Sequence, residues 1–525
     1  MSSKTQKYKK YEGLSPFELK NNLIKLASND NIDNILNSGR GNPDFLNTPV
    51  RRCFAHLQLI CLQMSDNIAP NLATFPLPGE KKYKKLLLSK IKKLNSNKDR
   101  VFLKKYINFI SKNNKNSELA LQQLVISVLG CFYPEPPQIQ SFIPSILEPY
   151  MFDIMFGTKK TKEKPSNYNF FPTEGGTAGI LYVFDTLHIN GIINNGDKIA
   201  VITPIFSPYL ELPGLKKYNM KIIELKGDPD NNWKLSDSEI NKLKDKSIKG
   251  LFMVNPGNPT AYSLPLDNIN KIGKIVNTIR KDLVIVSDCV YAPFTDEYNS
   301  LMYSCPKNTI EIFSLSKYFG CTGIRLGIIM LRNENRFSEL LKKLPSSKKK
   351  KLNDRYKVVS LDPSKLTFMQ RLVLDSRQVA EAHTGGLSTL QQIMMSMFVF
   401  FDMDDTKHKY KKNIQKILKK RMKLLYSELK FMPDENSRST NYYTLIDLPH
   451  ITELLYGKKA KEKLMKTHYL EFLFHLSKKY HTVLLPGVGF AGNKRSYRAS
   501  LANLRTNDYK QISNNIKNTI RDLTK

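Results

Sequence analysis

Apolar positions along the chain follow three successive patterns. Over residues 14–36 they recur at helical spacing, with Leu19, Leu23 and Leu26 behind a capping Ser15-Pro16, and predict a first helix. Val50–Met64 and most of 81–130 continue at that period, interrupted by polar loops such as 111–117. YPEPP at 133–137 must be extended, because proline disfavours helical backbone in the residue before it. Between 165 and 330 short continuous apolar runs alternate with helical ones. Lys198–Thr203, Gly250–Val254, Leu283–Ser287, Glu311–Leu315 and Leu326–Leu331 read as buried strands. Strands alternating with helices predict a mostly parallel sheet covered on both faces. From Leu387 onward long helices return, with two strand-like runs, Tyr443–Leu448 and Thr482–Leu485.

Two stretches fall outside these patterns. Residues 342–365, KKLPSSKKKKLNDRYKVVSLDPSK, are polar and lysine-rich and read as a solvated, partly disordered excursion. A helical stretch, RLVLDSRQVAEAH, follows and carries Ser376, Arg377 and His383. The chain therefore divides into a helical N-terminal segment (1–150), which contributes to the small domain and the active site, a large α/β domain (151–385) holding the 342–365 insertion, and a small C-terminal α+β domain (386–525). The fold class is α/β, with a three-layer α/β/α large domain.

Composition changes this picture little. Eighty-two Lys and Arg against 47 Asp and Glu give a net charge of +35, which alone suggests a polyanionic partner. The lysines are spread through the whole chain among many asparagines rather than gathered in a stripe, so a compositional bias accounts for them, and neither nucleic acid nor membrane is expected as a partner. The longest apolar stretch, near Ile393–Phe401, is broken by Ser396 and is too short to span a bilayer. The basic N-terminus lacks an apolar core and a cleavage site, so a cytoplasmic protein is expected. Six cysteines without a CxxC pair and eight histidines without an HxxxH pair support neither a disulfide framework nor a metal site. Cys289 and Cys321 read as small packing residues.

Candidate chemistry gathers at strand ends. Asn255, Asp288 and Lys317 each follow a predicted strand, where ligands collect in open parallel sheets. Lys317 has Ser314 and Ser316 before it and Arg325 eight residues beyond. An enclosed lysine must be paired or covalently used, and desolvation makes its amine a nucleophile. A surface lysine in a turn is the alternative. TEGGT at 173–177 precedes the helical run Ala178–Leu187, so Gly175, Gly176 and Thr177 can offer free N–H groups to an anion. An ordinary glycine turn is again the alternative.

The segment SLSKYFGCTGIRLG resembles the lysine segment of fold-type I pyridoxal-phosphate enzymes, the aspartate aminotransferase family. GRGNP (39–43), YPEPP (133–137), TEGGTAGI (173–180), TPIFSPYLELP (203–213), NPGNP (255–259), SDCVYAPF (287–294) and YRASLANL (497–504) follow in order. Together they resemble the aspartate 4-decarboxylase branch over roughly residues 14–505. The resemblance implies pyridoxal 5'-phosphate held covalently by Lys317. It implies Asp288 at the ring nitrogen, Tyr291 and Asn255 at the ring hydroxyl, and Phe206 flat on the ring. The phosphate would meet Gly175, Gly176, Thr177, Ser314, Ser316 and Arg325, with Tyr133 reaching in from a neighbouring subunit. Arg498 would clamp the substrate α-carboxylate, and Arg40 and Arg377 are the candidates for the distal one.

The implied reaction is β-decarboxylation of L-aspartate to L-alanine and carbon dioxide, with aminotransferase side activity. A plain aspartate/2-oxoglutarate aminotransferase is the alternative, and a non-catalytic basic binding protein on the same fold is a third reading. Expected partners are L-aspartate, 2-oxo acids and a second copy of the chain, with assembly up to a dodecamer. YPEPPQ departs from the branch where a basic residue is expected after the second proline, which leaves that wall of the pocket open.

Overall fold

The continuous apolar runs of the middle section form one eight-stranded sheet in this computed structural model, which describes residues 8–28, 35–75, 82–379 and 381–525. Its strands are β1 (Tyr168–Glu174), β2 (Lys198–Thr203), β3 (Lys221–Asp228), β4 (Lys234–Leu235), β5 (Ile248–Val254), β6 (Val284–Asp288), β7 (Thr309–Ser314) and β8 (Leu326–Arg332). They lie in the order β1-β8-β7-β6-β5-β2-β3-β4. Strands β3, β2, β5, β6 and β7 are parallel to one another, while β8 runs antiparallel to β7 and β1, and β4 to β3. Every residue of β6 and β7 is buried, as is all but one of β5, because helices cover both faces. That is why these strands read as unbroken apolar runs rather than alternating ones.

Register places the chemistry. Val254 on β5 stands beside Asp288 on β6, and Asp288 beside Ile312 on β7. The three chains thus leave the sheet at one edge, carrying Asn255, Asp288 and Lys317 out together. At the far side of this edge β1 turns directly into helix α2 (Gly176–Ile189), which follows α1 (Pro16–Ala27) in the numbering used below.

A second, three-stranded antiparallel sheet is built from β9 (Tyr443–Asp447), β10 (Leu485–Pro486) and β11 (Ser496–Ser500), with β11 central. The run predicted over Thr482–Leu485 is divided. Its first half, Thr482–Val483, pairs in parallel with Leu36–Asn37 from the N-terminal segment, and only its end joins this sheet. The first helix starts as predicted, with Ser15 accepting from the Glu18 amide, and ends at Ala27; residues 29–34 of the predicted span lie outside the described residues. Helices Thr48–Leu62, Tyr83–Ile91, Asn97–Asn113, Ser117–Leu129 and Pro144–Phe156 pack into one apolar core with residues of the C-terminal section.

The lysine-rich insertion is largely exposed, as its reading as a solvated excursion expects, but it is ordered rather than partly disordered. Its middle forms helix α3 (Ser346–Tyr356), whose Leu352 and Tyr356, four residues apart, are buried. Tyr356 Oη donates to Asp375 (2.9 Å), and the same carboxylate accepts from Arg355 Nη2 (3.0 Å) and Asn190 Nδ2 (3.0 Å). A buried carboxylate with three donors anchors the helix that its lysines alone would not hold. The next helix is shorter than predicted. Phe368–Ser376 stops at Arg377, so His383 is not on it. No described helix is long and apolar enough to cross a membrane.

Candidate active site

Lys317 stands three residues beyond β7, and its Nζ donates to the carbonyl of Gly41 (2.9 Å). Burial lowers its pKa to about 8, helped by the positive charges of Arg498 and Arg325 and opposed by Asp288. Roughly a tenth of the amine is then neutral at pH 7, far more than an exposed lysine provides. The carbonyl it meets belongs to the GRGNP loop, which is pinned on both sides. Ser38 exchanges hydrogen bonds with Ser500 (Oγ to O 2.7 Å, N to O 2.8 Å), and Asp44 binds Ala502 O through its amide (2.7 Å) and Arg421 through its carboxylate (2.6 Å). Tyr442 Oη donates to the same Gly41 oxygen (2.9 Å). Gly320, at φ +60, has a local use. A Cβ there would lie 1.9 Å from Phe45 O, so this glycine admits the N-terminal segment of the chain's own fold.

The glycine cup faces Arg325. Gly175 sits at φ +87 immediately before α2, and a Cβ on it would fall 2.3 Å from Arg325 Nη2. Only glycine leaves space there for the guanidinium to approach the helix N-terminus, where amides of the first turn are free to meet an anion. Ser314 Oγ lies 3.0 Å from Ser316 Oγ and 2.9 Å from Leu326 O, and it accepts from the Ser316 amide (3.3 Å). Serine hydroxyls, helix amides and an arginine thus surround one small space.

Asp288 closes the other side and is 5 % exposed. It accepts from the Val290 amide (3.2 Å) and from Tyr209 Oη (3.5 Å). Burial pushes its carboxyl up to about 7, against the opposing effects of those two donors and Lys317. Such a group becomes a stable anion once a cation is placed beside it. Tyr291 Oη meets Tyr443 Oη at 2.9 Å. Phe206 is half-buried, with its ring edge-on to Phe17 of α1 at 6.0 Å.

Arg498, on β11, is 1 % exposed. Its Nη1 donates to Asn258 Oδ1 (3.0 Å) and its Nη2 to Gly39 O (2.9 Å), while its buried Nε has no partner among the described residues. The guanidinium lies over the rings of Tyr443 (4.5 Å) and Phe490 (4.8 Å). An enclosed guanidinium with an unused N–H is a receptor for one more acceptor, and a carboxylate suits it.

Among the described residues, no hydrogen bond joins the side chains of Asn255, Arg377, Tyr133 or Arg40 to those of Lys317, Asp288 or Arg498. Asn255 stands at the sheet edge, its amide donating to Asp288 O (2.8 Å), and its side chain serves the fold: Nδ2 donates to Asn299 O (2.7 Å) and Oδ1 accepts from the Leu264 amide (2.8 Å). The second asparagine of NPGNP, Asn258, takes the place facing Arg498. Arg377 caps its helix and donates to His383 O (3.0 Å), because the helix ends one residue before it. Tyr133 is 64 % exposed and packs edge-on against His383 at 4.4 Å. Arg40 is exposed on the loop and close enough to Lys20 of α1 that it and Arg498, after burial, depress the Lys20 pKa. Sequence reasoning missed Tyr209, Asn258, Gly41, Tyr442 and Tyr443. Tyr209 and Asn258 lie within TPIFSPYLELP and NPGNP, and their polar side chains beside the strand ends are the signal that could have found them. The tyrosine pair is visible in the sequence only as part of a strand.

The residues present fit pyridoxal 5'-phosphate: a part-buried amine of lowered pKa, a cradle at Gly175 that a Cβ would fill, and a buried carboxylate lacking a full cationic partner. Beside this site, rather than in it, lies a cavity of about 610 Å³ lined by Trp233, Tyr262 and Tyr443 among others. No cluster of three or more His, Cys, Asp or Glu that could hold a metal ion occurs among the described residues.

Comparison with known proteins agrees with this geometry. The family described as "Aminotransferase class I and II" matches residues 150–516. The chain is similar, at 39% identity over 98% of its length and 97% of the relative's, to a bifunctional aspartate aminotransferase and L-aspartate beta-decarboxylase of Pseudomonas sp. In fold it is similar to a double mutant of the aspartate aminotransferase of Thermus thermophilus (TM-score 0.61, 14% identity, 99% of both chains). It is also similar to the aromatic aminotransferase of Pyrococcus horikoshii OT3 (TM-score 0.57, 14% identity, 95% of this chain and 99% of that one).

Proposed function

Because the chain belongs to the class I and class II aminotransferase family, we propose that it converts L-aspartate to L-alanine and carbon dioxide, with aspartate aminotransferase activity at the same site. Its cofactor is pyridoxal 5'-phosphate, which when bound serves as the sink for the electron pair left as a substrate C–H or C–C bond breaks. The observation that carries the reading is the convergence of Lys317, Asp288 and Arg498 at one sheet edge in a chain related over nearly its whole length to an enzyme with both activities.

Each residue has a task of its own. Lys317 would hold the cofactor aldehyde through Nζ, and as an amine near neutrality it takes the proton from the substrate α-carbon and returns one. Asp288 would stand beside the ring nitrogen as an anion and keep that nitrogen protonated, with Tyr209 and the Val290 amide holding the carboxylate in place. Gly175, Gly176, Thr177, Ser314, Ser316 and Arg325 would take the phosphate. Tyr133, exposed in its own chain, would reach the phosphate of a second copy, which makes a homodimer the smallest working unit.

Arg498 binds the α-carboxylate through the N–H groups that now meet Gly39 O and stand unpaired. It orients the substrate for every step, so Arg498→Ala is expected to lower kcat/KM for aspartate by about 10²- to 10³-fold, as expected for loss of a buried charged partner. Steady-state kinetics checks this. A variant with near-normal kcat/KM would place the α-carboxylate elsewhere.

The distal carboxylate decides between the two outcomes. It leaves as carbon dioxide when it is loosely held and water is kept from the reacting carbon. Arg40, an exposed side chain at the loop, suits a weak hold. Purified protein with pyridoxal phosphate, aspartate and 2-oxoglutarate as the amino acceptor is expected to yield alanine and carbon dioxide in equal amounts, with oxaloacetate and glutamate as the minor products. Arg40→Ala is expected to shift the alanine-to-oxaloacetate ratio, read by chromatography of the same mixture. Oxaloacetate as the main wild-type product would leave a plain aminotransferase.

A further inference from the structure

The contact between Tyr291 and Tyr443 joins the two sheets at their most chemical point. Tyr291 follows β6 of the large sheet, Tyr443 opens β9 of the small one, and their hydroxyl oxygens are 2.9 Å apart. Both side chains are buried, 3 % and 2 % exposed. On the small sheet Leu445 lies opposite Arg498, so Tyr443, two residues earlier, is the diagonal neighbour on the same face. That register is why the Arg498 guanidinium lies 4.5 Å over the Tyr443 ring. On its other side, a Cβ built on Gly41 would be 2.7 Å from Tyr443 Oη and 3.4 Å from Lys317 Nζ, so hydroxyl and amine border the same small space. Tyr442 does not duplicate this role, since its hydroxyl is bound to Gly41 O.

We propose that Tyr443 is a positioning residue that couples the carboxylate-binding arginine to the cofactor through Tyr291. A phenol carries one proton. When Tyr443 donates to the Tyr291 oxygen, the Tyr291 proton is left free for the cofactor's ring oxygen, and a hydrogen bond in such a chain strengthens the next. The guanidinium over the Tyr443 ring favours that direction by making its phenol a better donor. A substrate carboxylate that pairs with Arg498 neutralises this effect and weakens the donation. Occupation of the α-carboxylate site is thereby felt at the ring oxygen two side chains away. The charged and titratable groups facing the pair are Arg498 from β11, Lys317 from the loop after β7, and Tyr442 beside β9. Of these, Arg498 is the one whose charge the substrate compensates.

The inference rests on the cofactor reading above, and its test separates the two. The purified enzyme is loaded with pyridoxal phosphate, and the pH midpoint of the bound cofactor's visible absorbance is measured without substrate. A donor to the ring oxygen competes with protonation next to it, so Tyr443→Phe is expected to raise the midpoint by roughly 0.7 pH unit, the size of one neutral hydrogen bond. In a Tyr291→Phe background the same change is expected to move nothing further, because its route is gone. Succinate, a dicarboxylate without an amine, is expected to shift the wild-type midpoint and to shift that of Tyr443→Phe less. An unmoved midpoint in Tyr443→Phe, or an equal shift with Tyr291 already removed, overturns the coupling. If Tyr443→Phe does not fold, 3-fluorotyrosine at 443 keeps the ring, strengthens the donor and is expected to lower the midpoint, and no movement overturns the coupling equally. A wild-type protein with no visible band fails the cofactor reading instead.

Discussion

Lys317→Ala is expected to lower turnover of aspartate by about 10⁴-fold or more, because in the proposed site it would remove in one step the covalent anchor of the cofactor and the base that handles the α-proton. Among the described lysines whose pKa burial lowers, Lys20, Lys159 and Lys317, it is the one displaced furthest, down to about 8, and its amine is held to a backbone carbonyl. No neighbouring amine can substitute, since the other cations that act on it, Arg498 and Arg325, are guanidinium groups that stay protonated. The measurement is single-turnover conversion of aspartate with excess pyridoxal phosphate, repeated with methylamine added. Partial recovery of rate by the free amine would identify the lost function as chemical rather than structural. A variant within tenfold of the wild type would remove Lys317 from the reaction.

The second large effect is expected at Asp288. Alanine there leaves the phosphate cradle of Gly175, Ser314 and Arg325 intact, so the cofactor is retained. The ring nitrogen, however, would lose the anion proposed to keep it protonated. A buried charge-paired partner of this kind is worth about 2–5 kcal/mol, which is roughly 30- to several-thousand-fold in kcat. Asp288→Asn keeps the shape and the bond from Val290 and is expected to be nearly as impaired, which separates charge from packing. The check is kcat alongside the cofactor content of the same preparation. Near-normal turnover in Asp288→Ala with cofactor bound would move the ring-nitrogen role to another residue.

The parts of this site that are legible in the sequence are those fixed by local pattern. Buried parallel strands produce continuous apolar runs, and what closely follows each run, Asp288 directly after VIVS and Lys317 two residues after EIFSL, must emerge at the sheet edge. The glycine cup is legible because Gly175 and Gly176 directly precede a helix. What sequence does not disclose depends on contacts between distant segments. Gly41 reaches Lys317 only because Ser38 is bound to Ser500, 462 residues away. Tyr443 and Arg498 face the same point only through the pairing of β9 with β11.

NPGNP offers two asparagines of equal appeal. The choice between them turns on the Asn299 carbonyl and Leu264 amide that occupy Asn255, neither of which is local. The insertion reads as partly disordered because the two residues it buries, Leu352 and Tyr356, give only a weak stripe among a run of lysines. The buried Asp375 that fixes Tyr356 lies 19 residues away. Arg377 is read as lying on a helix through His383, but that helix ends at Ser376 and the arginine gives its side chain to the His383 carbonyl (3.0 Å).

The central claim, that one enclosed lysine carries the cofactor at the meeting point of the two sheets, is open to a direct measurement. Purified protein loaded with pyridoxal phosphate is reduced with borohydride, digested, and mapped by mass spectrometry. The phosphopyridoxyl label is expected on the single peptide that contains Lys317. A label on any other lysine, or one distributed over many, would contradict it.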